Sequence, residues 1–599
     1  MAQMCAVAQT SVAPVNTTCT RFNPGSVIHN PPALFSSNGV LNVQFSYQAS
    51  TDSIGRQTFC FVTPSGAQNP TLHVKPGDTL NITVTNNTPF TEVNDLDETF
   101  GSTFSPTCGD TNFEQQAAGT NSHGFPMSGG SMNIHYHGTN TTPACHGDNV
   151  VKTLVNPGHT FSYSLAFPTN EPPGLYWYHP HVHGLAEAAV ASGASGALVV
   201  DGIQNVQPAV QGLRHRILIL RDQPLKQFPI QQSAGGTEGI PQNDLTINNI
   251  SINTTVNTTT SAVTYTPAII HMYSGEKQFW RVSNSSADAP LDLAVRFDGV
   301  NQTIQLVGID AVPVNSQDGT QPGTLIPVTH FRIPPAARVE FIVTAPPSTV
   351  KVAQFVSQLI NTGPLGDDIP TRPLATIALL SSDTDEPLAD DNVGKFTSLN
   401  TTSQRFSGIM SVTPSVTRTV FFEEVEDGSV FFINASGCVT STGHQCATQP
   451  YPIDTPFDSN NPPAVVTTQG SVEKWLVQNH ARENHELHQH QIHFKVLSQD
   501  NFEANGSPQA PGINGQFLDM VEVPFCGGDP AGTNPDGSAT NPPSPPACIT
   551  ANGGGPAIPY PQVQALMDFR GPDIGAFVFH CHILGHEDRG MMAIEQVNQ

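Results

Sequence analysis

The sequence predicts an all-β protein of three consecutive, similar β-domains, and three observations carry that prediction. At 599 residues the chain exceeds one ordinary core, which usually serves about 100 to 200 residues. Charged residues make up only 12% of it, and 50 glycines and 52 prolines divide it into short apolar stretches ending in turn residues, which disfavours a helical bundle. A ten-residue pattern also occurs three times: GDTLNITVTN at 77–86, GEKQFWRVSN at 275–284 and GSVEKWLVQN at 470–479.

Each copy opens on Gly, closes on Asn, and carries apolar residues in alternation: Ile82 and Val84, Trp280 and Val282, Trp475 and Val477. Alternation of period two marks a half-buried strand led by a turn. The copies start 198 and 195 residues apart, which sets a repeat of about 200 residues. The first domain then covers 1–207 and ends just after SGALVVDG. The second covers 208–387 and opens on the strand RHRILILRDQ; its Thr/Asn-rich stretch LTINNISINTTVNTTTSAVTYTP reads as strand with a loose loop. The third covers 388–599, with LADDNVGKFTSLNTTSQRFSG as linker and RTVFFEEVEDGSVFFINA as its opening hairpin.

A formal net charge of -26 excludes nucleic acid or an anionic membrane face as partner, because a polyanion would be repelled. The most apolar segment, AAVASGASGALVV, is too short and too interrupted to span a bilayer, which takes about 20 apolar residues. The start MAQMCAVAQT lacks the basic and apolar regions of a signal peptide, so export, secreted or periplasmic, is inferred rather than read. Of ten cysteines, Cys581 lies within a histidine cluster and reads as a ligand. Cys438 with Cys446 and Cys526 with Cys548 are plausible disulfides, the second worth about 3 kcal/mol by loop closure. Cys5, Cys19, Cys60, Cys108 and Cys145 cannot be paired from sequence, and at least one thiol is left over. This cysteine usage favours an oxidising compartment. Sequons such as Asn253-Thr254-Thr255 mean glycans only in a eukaryotic secretory host.

Four histidine clusters lie in the first and third domains only. They are NIHYHG (His135, His137), YWYHPHVHG (His179, His181, His183), NHELHQHQIHF (His485, His488, His490, His493) and FVFHCHILGHEDRGMM (His580, Cys581, His582, His586). On an extended chain, residues i and i+2 share a face with Cα atoms about 6 to 7 Å apart, so a His-x-His pair aims two imidazoles into one pocket. Four such pairs supply eight imidazoles, too many for one mononuclear site, and imply several metal ions. In His-Cys-His the same geometry turns Cys581 away from His580 and His582, so one strand serves two sites. A thiolate with two imidazoles and a weak axial thioether is the blue-copper set, here Cys581, His586, His485 and Met591. Zinc also accepts His and Cys; the doubled site and the methionine favour copper. His183, His493, His123 and His146 read as structural or solvent-facing, and Met592 as core.

These motifs, standing in order as HYHG, YHPH, HELHQH and HCHILGHEDRGMM, resemble the multicopper oxidase family in its three-domain, laccase-like form, over nearly the whole chain. The resemblance implies three cupredoxin-like Greek-key β-sandwiches, with a type 1 copper in the third and a trinuclear cluster between the first and third. Carried over by motif position, His485, Cys581 and His586 bind the type 1 copper with Met591 axial. His135 and His488 bind the type 2 copper, and His137, His179, His181, His490, His580 and His582 the type 3 pair, four copper ions in all. Tyr136 departs from the Trp commoner at its position, and the segments 91–130 and 526–548 look like insertions. The implied activity is one-electron oxidation of phenols and aromatic amines coupled to four-electron reduction of O2 to water. Glu587 matches the proton donor of bacterial relatives, and Asp148 the acid near the type 2 water. Bilirubin-oxidase-like and metal-ion oxidase activities are the enzymatic alternatives. A copper-binding electron carrier is the non-enzymatic one, disfavoured by the complete trinuclear set.

Overall fold

The computed structural model describes residues 19–91, 106–109, 127–224, 241–381, 404–443, 452–526 and 559–599, apart from positions 258, 259, 261, 319, 364, 368, 426 and 427. Strands dominate the described residues, and helices are short pieces such as Ala186–Ala191 and Leu584–Glu587. Among the described residues no helix is long and apolar enough to cross a membrane.

The larger sheets fall into three pairs along the chain. A four-stranded and a five-stranded sheet use strands from Ala33–Phe35 to Gly196–Val200. An eight-stranded and a six-stranded sheet use Arg214–Pro224 to Arg372–Leu380, and a six-stranded and a five-stranded sheet use Val416–Glu424 to Met592–Asn598. The chain is therefore three cupredoxin-like β-sandwiches in succession.

The repeated sequence pattern occupies the same place in each. Thr79–Asn86 runs parallel to Val40–Thr51 and antiparallel to Thr160–Ala166. Lys277–Asn284 does so with Arg214–Pro224 and Arg338–Thr344, and Val472–Asn479 with Val416–Glu424 and Gln562–Asp568. The opening glycines have φ of 87° (Gly77), 73° (Gly275) and 90° (Gly470), a left-handed turn that a side chain would strain. The closing asparagines are buried clamps. Asn86 donates through Nδ2 to the carbonyls of Gly130 (2.8 Å) and Val155 (2.9 Å), Asn284 to Ala289 (2.9 Å) and Ile333 (3.1 Å), and Asn479 to Glu483 (2.8 Å) and Val523 (3.0 Å). Each satisfies loop carbonyls that burial would otherwise leave unpaired.

The segment 418–435 forms the hairpin expected of it, Val416–Glu424 against Phe431–Thr440. The Thr/Asn-rich stretch of the middle domain resolves into Asn243–Ile247, Ile250–Ile252 and the small pair Thr254–Val256 with Val263–Tyr265. One apolar core runs from Trp177 of the first sandwich through Trp280 of the second to Trp475 and Phe579 of the third, while the first sandwich keeps a core of its own around Phe61, Leu80 and Tyr178. Cys19 pairs with Cys60 and Cys108 with Cys145, links that the sequence left open. Cys438 and Cys526 are disulfide-bonded; Cys446 and Cys548, their expected partners, lie outside the described residues, as does His123.

Candidate metal centre

The strand Gly575–Cys581 lies antiparallel to His485–Gln489, with Cys581 opposite Leu487 and His580 opposite His488. Alternation along it sends Cys581 and His580 to opposite faces. On one face, Cys581 Sγ lies 3.7 Å from His485 Nδ1 and 3.8 Å from His586 Nδ1, and those two nitrogens are 3.1 Å apart. The Glu486 N–H donates to the sulfur at 3.4 Å. Met591 is buried beside them: its N–H donates to the His586 carbonyl and its own carbonyl accepts from the Cys581 N–H, both at 3.0 Å. Phe431 stacks on the His586 ring at 4.1 Å. Burial pushes the Cys581 thiol well above its ordinary range, so a thiolate there calls for a cation. Burial also lowers His485 to about 3 and holds His586 well below its usual value, leaving neutral rings with a lone pair to offer.

On the other face, eight imidazoles converge from two sandwiches. Only His135–His137 is strand throughout; it pairs with Gly174–His179 so that His135 stands opposite His179. The other pairs depart from the expected extended geometry. His181 follows Pro180 beyond its strand, His490 precedes Gln491 at a φ of 57°, and His582 lies past Cys581. Strand-end turns bring these second histidines in, where a continued strand would carry them past the site.

The eight fall into a pair and two triads. His135 Nε2 and His488 Nε2 are 3.4 Å apart. His580 Nε2 lies 3.1 Å from both His181 Nε2 and His490 Nε2. His137, His179 and His582 have ring centroids 5.1 to 5.8 Å apart. Two imidazole nitrogens each about 2.0 Å from one ion at a tetrahedral angle stand roughly 3.3 Å apart, the spacing seen here. His137 Nδ1, His179 Nε2 and both ring nitrogens of His582 are buried without a hydrogen-bond partner. Burial, with the neighbouring rings, lowers His181 to about 4 and holds the other seven well below the usual histidine value. Neutral, unpartnered nitrogens packed this closely could hold metal cations.

Of the two carboxylates singled out in the sequence, Asp148 touches one of the eight rings and Glu587 touches His183, outside them. Asp148 Oδ1 lies 3.0 Å from His135 Nδ1 and accepts from the Tyr136 N–H at 3.2 Å, while Gln491 donates to Oδ2 at 2.7 Å; burial pushes the acid up to about 7. Glu587 is wholly buried, which raises it well above the usual carboxylate range; Oε1 lies 2.9 Å from His183 Nδ1 and Oε2 has no partner. His183, expected to be structural or solvent-facing, is thus the partner of Glu587. His493 is buried, with Nε2 3.0 Å from the Asp310 carbonyl, and exposed-side His146 bonds the Ser162 carbonyl. Met592 packs in a separate apolar cluster with Val182 and Val578, as core. Asp519 and Arg338 carry no signal in the sequence, since neither falls in a motif; Asp519 Oδ1 lies 3.2 Å from His137 Nε2.

A cavity of about 360 Å³ reaches His586, and its wall includes Glu187, Asp288, Asp367, Glu424, Glu483 and Glu486, with Arg589 as countercharge. Glu483 Oε1 lies 3.3 Å from His586 Nε2. Burial and the neighbouring Glu424 push the Glu483 carboxyl up to about 9.

Two segments of the chain, 128–205 and 435–528 with 558–599, match family profiles described as multicopper oxidase. None of the curated proteins matches the chain by sequence. Among solved structures, the chain is similar to the McoA multicopper oxidase of the hyperthermophile Aquifex aeolicus, at 17% identity and a TM-score of 0.60, covering 96% of this chain and 100% of that one. A multicopper oxidase of Campylobacter jejuni, described as a metallo-oxidase, is 18% identical with a TM-score of 0.57 and 98% of each chain covered. A laccase of Pediococcus acidilactici is 14% identical with a TM-score of 0.57, covering 97% of this chain and 95% of that one. At these identities the likeness speaks for the fold over the whole chain.

Proposed function

We propose, from the premise that the chain is a multicopper oxidase, an O2-using oxidoreductase, that it is laccase-like, with a type 1 copper that His485, Cys581, His586 and Met591 would hold. His135 and His488 would hold a type 2 copper. The triads His137, His179, His582 and His181, His490, His580 would hold the two type 3 ions. The donor chemistry fits: a buried thiolate with two imidazoles on one face, and close, neutral imidazoles with orphaned nitrogens on the other. When bound, the copper ions supply one-electron acceptance at the first site and four-electron reduction of O2 to water at the second.

The observation that carries this reading is the division of one tripeptide between two sites. Cys581 Sγ approaches His485 and His586 within 3.8 Å, while the adjoining His580 approaches His181 and His490 at 3.1 Å. The peptide chain itself therefore joins the site that accepts electrons to the site that uses them. His586, 6% exposed in the cavity wall, is the point of contact with a reductant. Since only an electron crosses there, any accessible reductant of suitable potential serves, and phenols and aromatic amines are the substrate class. Burial of Glu587 favours its protonated form, so it holds a proton near the cluster. Asp148 orients His135 through Nδ1.

The carboxylate-lined cavity favours a second reading in which the reductant is a cation, a reduced metal ion or a protonated amine, since a positive charge relieves the crowded acids. The disulfides Cys19–Cys60 and Cys108–Cys145 support an extracytoplasmic, secreted or periplasmic location.

Oxygen uptake of the copper-loaded protein tests the function, with a neutral phenol, an aromatic amine and ferrous or cuprous ion as reductants, beside the thiolate absorption band. Uptake with the organic reductants supports the laccase-like reading, and uptake with metal ions alone replaces it by the metal-ion reading. A blue band with no uptake from any reductant would sink both and leave an electron carrier.

A further inference from the structure

The middle sandwich contributes none of the twelve copper ligands assigned above, yet one of its arginines reaches the histidine cluster. Arg338 begins the strand Arg338–Thr344 and is wholly buried. Its guanidinium donates to both carboxylate oxygens of Asp519, from Nη1 to Oδ1 at 2.7 Å and from Nη2 to Oδ2. Nε donates to the Leu175 carbonyl of the first sandwich at 3.2 Å. A second carboxylate, Asp310, accepts from the Arg338 N–H at 2.9 Å and from the Met520 N–H at 3.1 Å, which ties the arginine to the strand beside Asp519. With Nη1 also donating to the Ala336 carbonyl at 3.1 Å, one side chain bonds to its own sandwich and to both neighbours.

We propose that Asp519, clamped by Arg338, is a positioning residue for the trinuclear cluster, holding His137 and His488 in the tautomers that turn a bare nitrogen toward its centre. Asp519 meets both rings. Its Oδ1 lies 3.2 Å from His137 Nε2, and its backbone carbonyl lies 3.0 Å from His488 Nδ1. A carboxylate paired bidentately with arginine is an acceptor only, and a carbonyl always is. The proton of His137 therefore sits on Nε2 and that of His488 on Nδ1. What remains is His137 Nδ1, which has no partner, and His488 Nε2, which faces His135 Nε2 at 3.4 Å. Those are the two nitrogens left to bind metal, one from the first sandwich and one from the third.

Gly138 supplies an independent sign that this contact is built in. It follows His137 with a φ of 85°, and a Cβ there would lie 2.5 Å from both Arg338 Nη2 and Asp519 Oδ2. The glycine closing the HYHG motif is thus the residue that lets the clamp close against the ligand strand.

The proposal rests on the reading of the eight histidines as a copper cluster, and the test separates the two. Copper-loaded full-length protein is dialysed against graded chelator, and copper per chain is measured beside the thiolate band for Asp519→Asn, Arg338→Lys and Arg418→Lys. Arg418 makes a buried pair with Glu473 in the third sandwich, Nε to Oε2 at 2.6 Å, and serves as control for loss of a buried ion pair. Cluster copper in Asp519→Asn and Arg338→Lys leaves at roughly 10- to 100-fold lower chelator than in wild type, with the band intact, whereas Arg418→Lys retains it. Retention as in wild type by both clamp variants overturns the proposal, and so does equal loss from Arg418→Lys. Should Asp519→Asn fail to fold, Arg338→Lys, which keeps the charge and loses the fork, decides alone. Wild type that holds no copper beyond the type 1 ion overturns the cluster reading itself.

Discussion

Replacing the closing asparagine of the repeat by alanine separates stability from copper chemistry when done in two sandwiches. Asn479 is buried and makes three hydrogen bonds, from Nδ2 to the Glu483 and Val523 carbonyls at 2.8 and 3.0 Å, and to Oδ1 from the Ala481 N–H at 2.8 Å. Asn284 makes the equivalent three, to Ala289 at 2.9 Å, to Ile333 at 3.1 Å and from the Ser286 N–H at 3.3 Å. At about 1 kcal/mol net for each buried bond lost, either alanine variant loses roughly 3 kcal/mol. For a domain of about 200 residues this lowers its melting temperature by roughly 6 to 12 °C. The Asn479 bonds pin the loop that delivers His485, whereas the Asn284 bonds pin residues 286–289, which meet the other side of the site through the Leu584 and Gly585 N–H groups, donating to the Ala287 carbonyl and to Asp288 Oδ1, both at 3.0 Å. Calorimetry therefore shows similar losses in the two variants, while the thiolate band weakens more in Asn479→Ala than in Asn284→Ala. A loss below about 1 kcal/mol in both, or a band weakened equally in both, refutes this account of the repeat.

Three other predictions follow from the site. Met591→Leu removes the thioether proposed for the type 1 site and raises the potential of that site in a redox titration; an unchanged potential rules out Met591 as a ligand. Glu587→Gln, which keeps the shape of a buried side chain 2.9 Å from His183, slows O2 reduction by roughly 10²- to 10⁴-fold while electron uptake from substrate stays at the wild-type rate; full turnover at normal copper content refutes the proton role. Glu595 is pushed up to about 8 by burial, so the folded chain keeps a proton that the unfolded chain releases above about pH 4.5, and its contribution to stability falls as pH rises from there to about 8. Glu595→Gln retains an oxygen to accept from Gln489 and gains on wild type by roughly 3 kcal/mol between pH 4.5 and pH 7 in urea unfolding; a difference that does not change with pH contradicts the burial account.

What the sequence determines by itself is local and periodic. A Gly-led, Asn-closed strand with alternating apolar residues is legible because period two and a positive-φ turn are properties of a few consecutive residues, and each copy lies between the same two neighbours in its sheet. The opposite facing of His580 and Cys581 is legible for the same reason. Strand ends are less so: nothing in the spacing of His179 and His181 or of His488 and His490 says that the strand stops between them, and turns rather than alternation aim the second ring.

Tertiary structure alone decides which distant groups meet. His183 joins Glu587 across 404 residues of chain, Asp519 joins His137 across 382, and Arg338 joins Asp519 across 181. The pairing of Cys19 with Cys60 and of Cys108 with Cys145 belongs to the same class. Such contacts leave no local trace, because a carboxylate or guanidinium in a loop reads alike whether it meets water or a ligand ring. Only the docking of three sandwiches removes the water, and burial then makes each of these partners obligatory.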